Sequence, residues 1–410
     1  MDPKASDFVV IGGGIGGLAA ALQAARKTGG TVTILERAPE FGEVGAGLQL
    51  APNASRVLDE LGLLKAVAET AFFPERLVLR DALDGSEITA LRTDERFAQR
   101  YGYRYMVAHR MDLHRALLDA CAACEQITMV SGATVERIEQ DADGVRVHGA
   151  DGRQWTGSAA IGADGISSRV RQQLLRDGEP EGTGYVAYRG TVRVDDLQVS
   201  SAMESLTEMV IWIGPSMHLV QYPVRNGRLC NQVAVFQSSQ YRKGSEQWGT
   251  PAELCATFEK ATPAVRDSVA LIDTARRWEM FDRPPSGGWV DGRIALLGDA
   301  AHPMFQYLAQ GACQALEDGQ VLGECVSAGL PVHEAFKQYE ARRCERASTV
   351  QTRARMFGEV LHADGSLAAM RNYLLRRRDQ SDYEPVDWLY LHDPERRQAT
   401  KDSRVDDDHE

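Results

Sequence analysis

Three glycines set the first chemical question this chain raises. Gly12-x-Gly14-x-x-Gly17, in VVIGGGIGGLAAAL, follows the apolar run DFVVI (7–11) and opens an alanine-rich stretch that runs to about Lys27. Glycines at this spacing permit a tight turn, close backbone approach to a pyrophosphate and close helix–strand packing. The helix N-terminus adds amide donors and a partial positive charge. Glu36 lies nineteen residues after Gly17, at the end of the next strand-like run TVTILE, with Arg37 beside it. An acid so placed accepts hydrogen bonds from a ribose. Strand, loop, helix, strand and acid together read as a dinucleotide site.

Two acidic junctions follow far downstream. IGADGISSRVR (161–171) puts Asp164-Gly165 at a strand end, with Ser168 and Arg171 beyond. GDAAHPMFQYLAQGACQALEDG (298–319) puts Asp299 at another strand end, then His302, then Gly311-Ala312 at the start of a helix. Taken singly, each aspartate is a turn former. Two such junctions beside a phosphate loop ask for a larger explanation.

The elements that must position these residues are legible in outline. Residues 7–36 form a β-α-β unit. TVERIEQDADGVRVHGADGRQWTGSAAIGADG alternates around Asp-Gly turns, which predicts a β-meander. From about 180 to 280 the pattern is mostly strand-like, and RIALLGDAAH returns to a buried strand before a helical region to about 378. The expected fold is α/β: a Rossmann-like nucleotide-binding domain (1–180 and 281–378) carrying an inserted mixed β-sheet domain (181–280). A C-terminal segment (379–410) ends in a flexible acidic tail.

Composition narrows the function classes. With 410 residues, 43% apolar and 25% charged, the chain suits one large or two intimate globular domains. A net charge of −12 argues against nucleic acid, which needs clustered Lys and Arg. Seven scattered cysteines make no disulfide framework and fit a reducing, cytoplasmic setting. Cys121-x-x-Cys124 lacks a matching pair, so no metal site is expected. No export signal and no 18-residue apolar run are present.

Read together, GxGxxG, ADGxxSxVR and GDAAHP resemble the group A flavoprotein monooxygenases, from about residue 7 to 390. That resemblance implies FAD. Asp299 would meet the ribityl or ribose region, and amides at Gly311 and Ala312 the flavin N1–C2=O edge, where a helix N-terminus stabilises charge gained on reduction. Arg110, in HRMDL, would lie near the pyrophosphate. Asp164 belongs to a motif serving both FAD and a nicotinamide cofactor, which has no loop of its own here and would bind transiently. A homodimer is expected on the same ground.

The loop QYLAQGA more closely resembles that of the 3-hydroxybenzoate 6-hydroxylases, NADH-dependent enzymes that make gentisate, and VDWLYLHD (386–393) resembles the same group and the related salicylate hydroxylases. The resemblance implies that His218 and Gln306 meet the substrate as base and orienting group, and that Tyr222 is a third pocket residue. Oxygen would come through a flavin C4a-hydroperoxide. His302 is expected to support its loop, while His109 and His114 receive no role. Trp212, Trp278 and Trp289 read as core more than pocket, and no residue is assigned to the substrate carboxylate, although Arg189 and Arg193 share a strand face. The alternatives are a salicylate hydroxylase or related phenolic-acid monooxygenase, an NAD-dependent dehydrogenase without FAD, and a flavin-binding redox sensor.

Overall fold

Short β-branched runs bounded by glycine pair in parallel when both faces are covered by helices. Ser6–Ile11 does so at the centre of an eight-stranded sheet, flanked in parallel by Val32–Leu35 and Gln154–Gly162, with Ile127–Val130 and Ile294–Leu296 outside them. The computed structural model describes residues 5–42, 46–198, 206–245 and 247–391. The meander is present as Val135–Gln140, Val145–Gly149 and Gln154–Gly162, paired antiparallel.

Helix Ile15–Thr28 buries nearly all of Leu18–Ala25. Its main partner is helix Gly311–Val326, and two glycines on that helix explain the fit. A Cβ at Gly319 would lie 3.0 Å from the Ala20 amide nitrogen, and one at Gly323 would lie 2.8 Å from the Gln23 Cβ. Four residues apart, they share a helix face.

A seven-stranded sheet forms the second layer, in the order Trp278–Asp282, Glu181–Arg193, Leu229–Gln237, Met217–Val224, Glu208–Gly214, Arg76–Asp81, Glu87–Arg92. The segment 181–280 therefore supplies most of this sheet, while two strands come from 76–92. Arg76–Asp81 pairs in parallel with Glu208–Gly214, a match between segments over a hundred residues apart that local alternation cannot signal. One sheet face packs Tyr188, Trp212, Leu219 and Phe236 against helices Pro251–Phe258 and Pro263–Ala270. The opposite face turns toward the nucleotide-binding layer.

The long helix Val332–Leu361 is followed by Gly365–Leu375 and Glu384–Tyr390. Tyr390 packs edge-on against Phe97, Tyr101 and Tyr105, and the Arg100–Asp387 ion pair holds the last described helix. The acidic tail lies outside the described residues. Among the described residues, no helix is long and apolar enough to cross a membrane.

Candidate active site

The glycine loop is forced by contact. Gly12 sits at φ +110°, and a Cβ there would fall 2.2 Å from the Ala163 carbonyl oxygen. A Cβ at Gly17 would fall 1.9 Å from the Gly12 oxygen, so Gly17 serves helix–strand packing and lies outside the cleft that Gly12 and Gly14 line. Glu36 accepts from the Gly13 and Ala38 amides, each at 2.8 Å and each on a different oxygen. Both oxygens keep a lone pair for a ligand. His114, which the sequence left without a role, hydrogen-bonds through Nε2 to the Gly13 carbonyl at 2.8 Å and so anchors the loop from below.

The two acidic junctions are tied to each other. Asp164 accepts from the Ser168 hydroxyl at 2.5 Å and the Arg169 amide at 2.7 Å, starting helix Arg169–Leu175, and burial raises its carboxyl above the ordinary range despite these donors. Arg171, 1% exposed, reaches from that helix to the carbonyls of Ala300 and Ala301 at 3.0 and 2.6 Å. The arginine of the second motif thus staples the third.

Behind the third motif lies a buried ionic cluster. Asp318 accepts from the Gly298 amide at 2.9 Å, from His302 at 2.5 Å and from Arg343 at 2.6 Å. His302 supports the loop, as expected of it. The cation and imidazole beside Asp318 hold its carboxyl below the ordinary range, against its burial.

Two cavities meet at this loop. The larger, about 610 Å³, is lined by Gly12, Gly14, Glu36, Arg37, Asp164 and Asp299, and it continues to Arg110, Gly311 and Ala312. The smaller, about 230 Å³, is lined from the second sheet by Arg189, His218 and Tyr222 and from the loop by Gln306 and Tyr307. Arg110, Asp299, Gly311 and Ala312 wall both.

Sheet register explains the wall of the smaller cavity. Arg189, Val233, Val220 and Ile211 stand side by side across four strands, and His218 occupies the next row with Val235 and Ile213. Tyr222 is buried against Gly47, where a Cβ would meet its ring at 2.5 Å; the Gly47 amide donates to Asn231 at 2.6 Å. Ala309, in the QYLAQG loop, holds φ +53°, a left-handed conformation uncommon for a residue with a Cβ.

Arg189 lies 3.7 Å over the Trp278 ring, and Arg276 lies 3.8 Å from the same centroid. Trp278 is thus a platform for a cavity arginine, whereas Trp212 and Trp289 are buried in the core. Arg193 points instead to solvent, beside Asp195. His218 is 2% exposed, and its Nδ1 lies 2.7 Å from Nε2 of His362, a residue absent from every sequence motif. Burial, with the second imidazole adding to it, holds His218 well below the ordinary histidine value.

This fold and this cleft define a dinucleotide-binding redox protein with a substrate chamber at one end. Two helix N-termini, a ribose-side acid and a tight glycine loop lining the cleft suit FAD in particular. Residues 5–354 match the family model described as FAD binding domain. A 3-hydroxybenzoate 6-hydroxylase of Polaromonas naphthalenivorans (strain CJ2) is 40% identical over 95% of this chain and 96% of its own. A 3-amino-4-hydroxybenzoate 2-monooxygenase of Streptomyces cremeus is 37% identical over 93% and 94%. The crystal structure of Klebsiella pneumoniae HpxO complexed with FAD and uric acid superposes with a TM-score of 0.79 at 27% identity, covering 94% of this chain and 95% of that one. The chain belongs to the FAD-binding family of group A flavoprotein monooxygenases. It is a flavin-dependent monooxygenase, and FAD is its cofactor.

Proposed function

We propose that the enzyme hydroxylates 3-hydroxybenzoate para to its hydroxyl, giving gentisate, with NADH as reductant. The observation that carries this reading is the shared wall: the cavity lined by His218, Gln306 and Tyr222 shares Arg110, Asp299, Gly311 and Ala312 with the larger cleft, so a ring held there would lie against the flavin end of FAD. Glu36 and Arg37 would hold the far end of the cofactor, the glycine loop and Arg110 its pyrophosphate, and Asp299, Gly311 and Ala312 the flavin side. FAD held there would, once reduced by NADH, supply an electrophilic oxygen atom from O2.

The protein's part is to orient the ring and enrich it in electrons. Drawing the phenol proton toward His218 raises electron density ortho and para to the oxygen. A phenol near pKa 10 and an ordinary imidazole near 6.5 differ by roughly 5 kcal/mol, and burial widens that gap here. His218 therefore assists as base only if the site also stabilises the phenolate. Gln306 fixes the ring's angle. Arg189, kept flat on Trp278, is the cation on the sheet wall placed for the carboxylate.

The test is NADH oxidation by the FAD-loaded protein with 3-hydroxybenzoate, with product, oxygen and peroxide measured together. Gentisate in proportion to NADH is expected, and His218→Ala should lose about 10²–10⁴-fold of it while keeping FAD. NADH consumed but recovered as peroxide, or salicylate turned over in place of 3-hydroxybenzoate, would overturn the substrate assignment.

A homodimer and a cytoplasmic setting complete the proposal. Leu367, Met370 and Leu374, 71%, 58% and 60% exposed along helix Gly365–Leu375, support the first. Seven free thiols support the second. Sedimentation at micromolar concentration tests the dimer.

A further inference from the structure

The buried histidine pair has a feature that binding and orienting a ring do not require. His218 lines the substrate cavity, and its Nδ1 is engaged by His362 Nε2 at 2.7 Å. The ring centroids are 5.0 Å apart and the planes 27° from parallel, so the two imidazoles meet edge to edge along the N···N line. His362 is the residue that ends the long helix, and the chain becomes exposed two residues later at Asp364. His218 lies on the cavity side of the pair, and His362 on the side nearer the exposed turn.

The geometry points to a two-histidine proton relay, in which His362 carries the substrate's phenolic proton from His218 to solvent. This rests on the phenolic-acid reading above. The phenol proton passes to His218 Nε2, the Nδ1 proton of His218 passes to His362 Nε2, and the Nδ1 proton of His362 leaves to water. The phenolate keeps the O–H electron pair, neither ring keeps a charge, and each ends in its other tautomer. Once the ring has been oxygenated, its original oxygen needs a proton back, and the same steps reversed return one and restore both tautomers.

The surroundings suit a relay between neutral rings. Burial holds His218 well below its ordinary value and His362 at about 4, and the Arg371 guanidinium also opposes charge on His362. A neutral imidazole has one donor and one acceptor, the state each step needs. The other titratable groups facing the pair are Tyr185, stacked on His362 at 4.8 Å, and Tyr307, edge-on to both rings. Burial pushes both hydroxyls up, so neither competes as a base.

His362→Gln separates a relay from a merely positioning role, because an amide can hydrogen-bond Nδ1 but cannot take a proton at one end and release one at the other. The FAD-loaded protein is mixed with 3-hydroxybenzoate in weak buffer, and proton release is followed with an indicator dye while flavin absorbance reports binding. The variant should release the proton about a hundredfold more slowly, with ligand affinity nearly unchanged. Release at the wild-type rate would overturn the relay and leave His362 as a prop. Wild-type binding without proton release would overturn it as well. No binding of 3-hydroxybenzoate by the wild type would overturn the substrate reading and the relay with it.

A second measurement needs no variant. Nitrogen-15 spectra of histidine-labelled wild type should show coupling across an N–H···N bond between the two rings; two uncoupled imidazoles would also overturn the proposal.

Discussion

His362 illustrates how one buried side chain makes stability depend on pH. Its folded value of about 4 lies below the ordinary 6.5, so between those limits the unfolded chain binds a proton that the folded chain refuses. Stability is therefore unaffected above about pH 6.5 and falls as the pH drops toward 4, by about 1.4 kcal/mol per unit at most. His362→Gln removes this dependence. Between pH 6.5 and 5 the variant should lose about 2 kcal/mol less stability than the wild type, measured by urea unfolding at each pH. An equal loss in both proteins would place the imidazole in water. Nothing in HADGS around His362 signals this role, since the pairing joins positions 144 residues apart. His114 eluded the sequence for the same reason: its partner, Gly13, lies 101 residues away. His218, by contrast, was singled out by the resemblance of its strand and of the QYLAQGA loop.

Elements announced themselves where local chemistry is strong. The glycine loop, the meander around Asp-Gly turns and the buried strand before GDAAH all follow from turn residues and short-range alternation. Strands Arg76–Asp81 and Glu87–Arg92 did not declare which sheet they join, because the pairing partner of a strand is chosen by tertiary register. The tie between the second and third motifs was likewise hidden, although its arginine was in view. Arg171→Met should expose that tie. It leaves two buried carbonyls without their donor and Asp177 without one of its partners, so a loss of about 3–5 kcal/mol is expected in urea unfolding. FAD affinity should fall with it, because the loop bearing Asp299 loses its fastening. A variant with normal stability and normal flavin content would show that the loop is held from the Asp318 side alone.

Across the whole molecule, two layers meet at the four residues that wall both cavities. The nucleotide layer brings Asp299, Gly311 and Ala312 to the junction, and Arg110 arrives at the start of helix Arg110–Ala122. The sheet layer contributes side chains from alternate positions on a single face. The packing of helix Ile15–Thr28 against helix Gly311–Val326 has a consequence for this arrangement. The first helix begins at the glycine loop and the second at the wall shared by the two cavities, so their separation would act as a ruler for the length of cofactor held between them. Gly319 and Gly323 set its graduation. Gly323→Leu should push the helices apart and lower FAD affinity at least tenfold, by about 1.4 kcal/mol, read by flavin fluorescence on titration. Altering the phosphate loop would weaken every dinucleotide alike. Altering the ruler should weaken FAD more than adenosine diphosphate, which touches only one of its ends.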